Sequence, residues 1–361
     1  MVFADVLEVK NGRNQKSVEN PNGKYPIYGS GGIMGYADSY LCDANTVIIG
    51  RKGSINNPIF VEEPFWNVDT AFGLITKKEI LLPKYLYYFC VKFDFLKLNK
   101  AVTIPSLTKS DILKIEINVP KIEKQQKIVS TLDTLQSIIT HRRTQLEKLD
   151  LLVKARFVEM FGDPNDKRVS EKQEKIGDLC DVTKLAGFEF TEYINYQESG
   201  EIIMLRGLNC KQGKLVLDNV KYIDRNTSYN LPRSRLYAGD ILMTYAGTIG
   251  EVAIVDEDDK YHLAPNVAKI SIIKKDKVNP IFLVHLFMYS HDYIMTFASQ
   301  VAQASINMQK IRDFKYTIPN IEEQYKFADF VKQVDKFKAT VQKALDEAQL
   351  LFDSLMQEYF G

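Results

Sequence analysis

VPKIEKQQKIV at residues 119–129 returns as IPNIEEQYKFA at residues 318–328, an internal repeat around which the rest of the chain organises itself. Pro120 maps to Pro319, Ile122 to Ile321, Glu123 to Glu322 and Gln125 to Gln324, all at an offset of 199. The offset holds without a gap to the pair Phe161-Gly162 and Phe360-Gly361. Upstream it drifts. Pro83 and Leu86 map to Pro280 and Leu283 at 197, Gly53 to Gly247 at 194, and Asp5 to Asp178 at 173. The pattern is a tandem duplication with a rigid repeated end and a variable repeated head. The second head carries 21 extra residues between its Asp and its Gly.

The rigid ends read as long helices. Neither 121–161 nor 320–360 contains a Pro or Gly. At a spacing of about 3.5 residues, Ile128, Leu132, Leu135, Ile139, Leu146, Leu149, Val153 and Met160 form one stripe, interrupted by Arg142 and Arg156. The second stripe is Phe327, Val331, Val334, Val341, Leu345, Ala348, Phe352, Leu355 and Tyr359, interrupted by Lys338. Pro120 and Pro319 suit a helix start and Gly162 a helix end. Each seam covers about 50 Å at roughly 1.5 Å per residue. Two such stripes in one chain are expected to zip together, with Leu132, Leu135, Ile139, Leu146 and Leu149 facing Val331, Val334, Val341, Leu345 and Phe352.

The heads read as mixed and strand-rich. NTVIIG (45–50), NPIFVEE (57–63) and AFGLITK (71–77) have the composition of short strands. Their counterparts are GDILMT (239–244), EVAIVDE (251–257) and AKISIIK (268–274). An amphipathic helix follows a proline in each head, at 83–98 and 280–295. The polar stretch DPNDKRVSEKQEK (163–175) reads as the linker between the halves. The expected class is α+β, divided into a first head (1–120), a first helix (121–162), a linker and second head (163–318) and a second helix (319–361).

Composition excludes several functions. The 47 Lys plus Arg nearly cancel 46 Asp plus Glu, so a polyanion site must be local. Four cysteines without a CxxC pair argue against a zinc ribbon or a disulfide scaffold, and four histidines never fall at HxxxH spacing, so no metal site is expected. No apolar run of eighteen residues occurs and residues 1–10 lack a signal-peptide core, which predicts a soluble chain of a reducing compartment with no membrane contact. YGSGGIMGY (28–36) has Met34 where a dinucleotide loop needs its third glycine, and NPIF (57–60) lacks a proline of the adenine-methyltransferase motif.

Local basic clusters are the better candidates. GRKGS (50–54) sets Arg51 and Lys52 on a glycine-bounded turn suited to phosphate. KYIDRNTSYNLPRSRLY (221–237) interleaves Lys221, Arg225, Arg233 and Arg235 with tyrosines, and MLRGLN (204–209) adds Arg206 and Asn209. Arg to guanine, and Asn to adenine, are side-chain types that base reading uses. Arg13, Tyr28, Ser30 and Tyr245 complete the candidate DNA contacts.

Over its whole length the chain resembles the specificity subunit of type I restriction-modification enzymes. The resemblance rests on the paired VPKIEKQQKIV and IPNIEEQYKFA segments, on YPIYGSGGIMGY and IIGRKGSIN, and on the starts at Asp5 and Asp178. The family's proline pair before the helix is here a single Pro in each half. The resemblance implies two target recognition domains, each reading one half of a split double-stranded DNA target. It further implies long helices packed as an antiparallel coiled coil that sets the spacer, with an internal pseudo-twofold. Two modification subunits and restriction subunits would join in the cytoplasm, with Glu123, Gln125, Gln126, Glu322, Glu323 and Gln324 as docking candidates. S-adenosylmethionine, ATP and Mg would sit on those partners, leaving this chain non-catalytic and without a cofactor. Two other readings stand beside this one: a solitary adenine-N6 DNA methyltransferase, and a coiled-coil tether with protein-binding heads.

Overall fold

The computed structural model describes residues 1–99, 104–166, 172–299 and 304–361. They form two compact units, residues 1–145 with 341–361, and residues 146–340. Each unit holds one head together with one half of each long helix.

In the first unit the strands are β1 (Leu7–Asn11), β2 (Tyr25–Gly29), β3 (Gly32–Ala37), β4 (Thr46–Gly50), β5 (Ile59–Val61), β6 (Trp66–Asn67) and β7 (Ala71–Thr76). They make an antiparallel sheet in the order β1-β7-β4-β5 and a smaller sheet β3-β2-β6, in which β2 and β6 are parallel. The central strand β4, TVIIG, is buried at every position, which is why the sequence there is apolar without alternation. Helix Pro83–Lys92 starts on its proline, whose missing N–H costs nothing in a first turn. Phe89 of this helix packs edge-on to Phe3, and Tyr85 stands 5.0 Å from the Phe360 ring.

The second unit contains β8 (Gln173–Lys175), β9 (Cys180–Lys184), β10 (Ile202–Leu205), β11 (Cys210–Lys211), β12 (Lys214–Leu215), β13 (Lys221–Ile223), β14 (Ile241–Thr244), β15 (Val252–Ile254), β16 (Tyr261–Leu263), β17 (Val267–Ile272) and β18 (Lys315–Thr317). Its main sheet runs β9-β17-β14-β15, antiparallel throughout, and a second sheet runs β13-β10-β16 with β10 and β16 parallel. Both heads therefore share one strand order in each of two sheets. The hairpin β2–β3 turns through Ser30 and Gly31, whereas β10 reaches β13 only after the insert that carries β11 and β12. Met243 and Ile270 pack on helix Pro280–Tyr289 and on Phe157 and Phe327, while Leu242 and Val267 pack on the second sheet. Asn279 caps that helix by accepting from the N–H groups of Ile281 and Phe282.

Three expectations need correction: first, the helix expected over 83–98 ends at Lys92, and after Phe93 and Asp94 only a short 3-10 turn, Phe95–Leu98, follows. Residues 163–175 are not all linker: Gln173–Lys175 pairs with Lys315–Thr317 as a strand, and Asn165 donates to the Tyr289 carbonyl at 2.8 Å, while 167–171 lie outside the described residues. The helix expected over 280–295 is two helices, Pro280–Tyr289 and His291–Met295, parted at buried Ser290, whose hydroxyl meets Tyr316 Oη at 2.8 Å.

The long helices span Ile122–Phe161 and Ile321–Phe360, 40 residues each, about 60 Å at 1.5 Å per residue. In the first unit Ile128, Leu132, Leu135, Ile139, Val341, Leu345 and Phe352 are buried. In the second, Val153, Phe327, Val331 and Val334 are buried, and Leu146 and Leu149 half-buried. Each helix is joined to its head by the same device. Gln125 accepts from Leu82 N–H at 2.9 Å and donates to the carbonyls of Ile80 and Pro120, both at 2.8 Å. Gln324 accepts from Asn279 N–H at 2.9 Å and donates to the carbonyls of Lys277 and Pro319, again at 2.8 Å. Both glutamines are 0% exposed.

Candidate nucleic-acid interface

In the first unit, five candidates far apart in sequence meet around one loop, residues 67–71. Gly12 N–H donates to the Ala71 carbonyl at 3.1 Å and Arg13 N–H to that of Asn67 at 3.0 Å. Gly12 must be glycine, because a Cβ there would stand 1.8 Å from the Val68 carbonyl oxygen. Val68 N–H donates to the Tyr28 carbonyl at 3.0 Å. Arg51 and Lys52 both turn over the Thr70 carbonyl, at 2.8 and 3.3 Å, and a Cβ on Gly50 would lie 3.1 Å from that of Ser30. Trp66 Nε1 donates to the Arg13 carbonyl at 3.0 Å and fixes the edge of the cluster. Arg13, Arg51 and Lys52 are exposed, and among the described residues none has an ion-pair partner. The Arg51 guanidinium stands 5.7 Å from the Phe72 ring. Burial, and then the charge of Glu63, push the Tyr28 hydroxyl up, so it stays protonated and able to donate. The arrangement gathers three exposed cations and two hydroxyl side chains around one loop, the residue types that phosphate binding uses.

The second unit has a corresponding place at Tyr245. Its N–H donates to the Asn266 carbonyl at 3.0 Å, its carbonyl accepts from Ile306 at 2.9 Å, and Lys184 Nζ lies 5.6 Å from its ring. Lys184, a lone charge at the end of β9, was invisible as a candidate because only strand pairing brings it to Tyr245.

The other basic candidates of this head are mostly engaged. Lys221 is paired with Glu198, and Arg225 with Glu201 at 3.3 Å. Arg206 donates to the backbone and side-chain oxygens of Asn219 at 2.9 and 3.0 Å. Arg235 is paired with Asp259 and stacked 4.1 Å from the Tyr229 ring and 5.4 Å from Tyr237, with only 17% of its side chain exposed. Exposed pairs such as Arg225–Glu201 are weak and can open to another anion, whereas the enclosed Arg235 is a structural residue. Arg233 is exposed and has no ion-pair partner among the described residues, and its carbonyl is held by buried Lys269 at 2.7 Å.

Asn209 cannot read a base. It is wholly buried, donates to the carbonyls of Val216 and Asn219, and accepts from Arg206 N–H. Gln125 and Gln324 are likewise removed from the docking candidates, since the head-to-helix joint uses their side chains. Glu123, Gln126, Glu322 and Glu323 remain exposed at the helix starts. Burial pushes the Cys42 thiol up to about 11 and those of Cys180 and Cys210 to about 12, with Cys90 also raised, so none supplies a thiolate near neutral pH. Among the described residues no three His, Cys, Asp or Glu side chains gather as a metal site, and no helix is long and apolar enough to cross a membrane.

Comparison with known proteins gives one consistent result. The family described as "Type I restriction modification DNA specificity domain" matches residues 2–149 and 171–349. The specificity subunit of the EcoBI type I restriction enzyme of Escherichia coli is 23% identical over 93% of this chain and 75% of its own length. A Haemophilus influenzae protein named as a putative type I specificity subunit, S.HindORF215P, is 23% identical over 95% and 88%. The crystal structure of a type I restriction-modification S subunit from M. genitalium superposes with a TM-score of 0.64 at 14% identity, covering 100% of this chain and 95% of that one.

Proposed function

The chain belongs to the type I restriction-modification DNA specificity family, and from that premise we propose that each of its heads reads one half of a bipartite double-stranded DNA target. The observation that carries the reading is the gathering of Arg13, Tyr28, Ser30, Arg51 and Lys52 around residues 67–71, where three cations have no ion-pair partner among the described residues. Tyr245, Lys184 and Arg233 are the corresponding contacts of the second head. The near-zero net charge fits a chain whose partners supply much of the phosphate grip.

The long helices act as an antiparallel coiled coil whose length sets the unread spacer. Their buried stripes support this, as do the contacts Arg143–Gln349 in one unit and Asp150–Lys338 in the other. Shared strand orders support an internal pseudo-twofold. Two modification subunits dock on the helices. Supporting that number, Leu151-Leu152 and Leu350-Leu351 repeat at the offset of 199 and all four are exposed, at 64%, 47%, 72% and 49%. Restriction subunits complete the cytoplasmic assembly. S-adenosylmethionine, ATP and Mg belong to the partners, and this chain carries no catalytic residue.

The test replaces residues 1–118 with a foreign head in the assembled complex and sequences the methylated sites. One half of the methylated motif should change and the other stay. A motif that changes in both halves, or stoichiometric S-adenosylmethionine binding by the purified chain alone, would overturn the reading.

A further inference from the structure

Strands β2 and β3 form a ribbon turning through Ser30 and Gly31, and their pairing slips near the tip. Ile27 faces Gly35 and Tyr28 faces Ile33, so Met34 is an extra residue with no partner, a β-bulge. Neighbours on a regular strand point to opposite faces. At this bulge Ile33 and Met34 both stand in solvent, at 55% and 63% exposure. Met34 lies across Gly29, where a Cβ would come within 2.6 Å of its Sδ and 3.6 Å of Val68. Val68 belongs to the loop whose Thr70 carbonyl carries Arg51 and Lys52. Met34 thus lies near the loop on which Arg51 and Lys52 turn, and among the described residues both apolar side chains stay exposed. Single exposed apolar residues are ordinary on any surface, but a bulge re-aims specific side chains.

We propose that Ile33 and Met34 are specificity-determining residues of the first head that contact the C5-methyl group of a thymine in the major groove. This rests on the reading that DNA is the ligand of that face. A two-stranded ribbon fits the major groove, about 12 Å wide, and not the minor groove of about 6 Å. The thymine methyl is the apolar feature that base edges present there. Arg13, Arg51 and Lys52 supply the flanking phosphate contacts that hold the ribbon in register.

The experiment uses the complex of the full chain with its modification subunits. Its methylated motif is determined first, and the half belonging to this head is identified by replacing residues 1–118. Duplexes are then made with each thymine of that half changed to uracil, which removes only the methyl group. At one position affinity should fall about fourfold, the equivalent of one buried methyl-sized group. The double variant Ile33→Ala, Met34→Ala should bind the thymine and uracil duplexes equally. Gly29→Ala, which displaces Met34, should lose most of the preference as well. The proposal is overturned by a half-site without a T·A pair, by uracil substitution without effect, or by a double variant that keeps the methyl preference. A bent duplex insensitive to uracil would point instead to an apolar wedge in the minor groove. A complex with no sequence preference at all would refute DNA reading by this chain rather than this assignment.

Discussion

Replacing Gln125 with Met removes three hydrogen bonds while nearly keeping the volume of the side chain, so the cost is one of polar satisfaction and not of packing. One donor, Leu82 N–H, and two acceptors, the carbonyls of Ile80 and Pro120, lose this partner inside the protein. At about 1 kcal/mol per hydrogen bond, rising where a buried group is left unpaired, the loss is roughly 3–5 kcal/mol. Trp66 is the single tryptophan and is buried in the same unit, so its fluorescence follows this head alone. With a urea slope of about 2–3 kcal/mol per molar, the midpoint of the Trp66 transition should fall by about 1–2.5 M. Glu123→Ala, two residues earlier and exposed, should change stability by no more than about 0.5 kcal/mol. A Gln125→Met variant that unfolds within 0.5 kcal/mol of the parent would refute the joint as a source of stability.

Arg51→Ala with Lys52→Ala should weaken DNA binding of the assembled complex equally on all sequences. It should flatten the plot of log affinity against log salt by about 1.8, since each phosphate contact contributes about 0.9; an unchanged slope in an anisotropy titration would place these cations away from DNA. Leu151→Asp or Leu350→Asp alone should each reduce the bound modification subunits from two to one, read by native mass spectrometry. Burial holds the imidazoles of His262 and His285 below their usual range, so both rings take a proton on unfolding. Stability of the second unit should then be complete above pH about 6.5, the unfolded value, and decline as pH falls below it. Amide hydrogen exchange in Tyr261–Leu263, corrected for intrinsic rates, should accelerate between pH 7 and 5.5, and unchanged protection would contradict the assignment.

The helices were legible because a stripe of period 3.5 leaves its mark on sequence wherever one face is buried throughout. The main strands were legible for a different reason: Thr46–Gly50 and Ile241–Thr244 are covered on both faces and admit little but apolar residues. Polar residues misled. Gln125 and Gln324 on a helix, and Asn209 beside Arg206, have the composition of a surface, and only the backbone groups they meet reveal that they are interior. Repetition of a residue in both halves marks a shared constraint but does not say whether a partner or the fold imposes it. The basic cluster at 221–237 was found as a cluster, yet its division into paired and free cations depends on Glu198, Glu201 and Asp259, which are remote in sequence. The slip that frees Met34 leaves no periodic signal, since a bulge interrupts the very alternation by which strands are recognised.

The glutamine joints also bear on how such a chain changes over time. Each amide grips only main-chain groups: Ile80 and Leu82 in one half, Lys277 and Asn279 in the other. Every amino acid offers a carbonyl, and every one but proline an N–H, so the joint is blind to the side chains of the head it holds. The two heads already use it with an aliphatic pair in one case and a lysine and asparagine in the other. A head of different sequence can therefore use the same glutamine joint wherever its chain passes at the right height, while contacts such as Tyr88 with Asp133 and Tyr85 with Phe360 have to be met by side chains of its own. At these two joints, change in the head's side chains and retention of the helix are not in competition, because the glutamines meet main-chain groups alone.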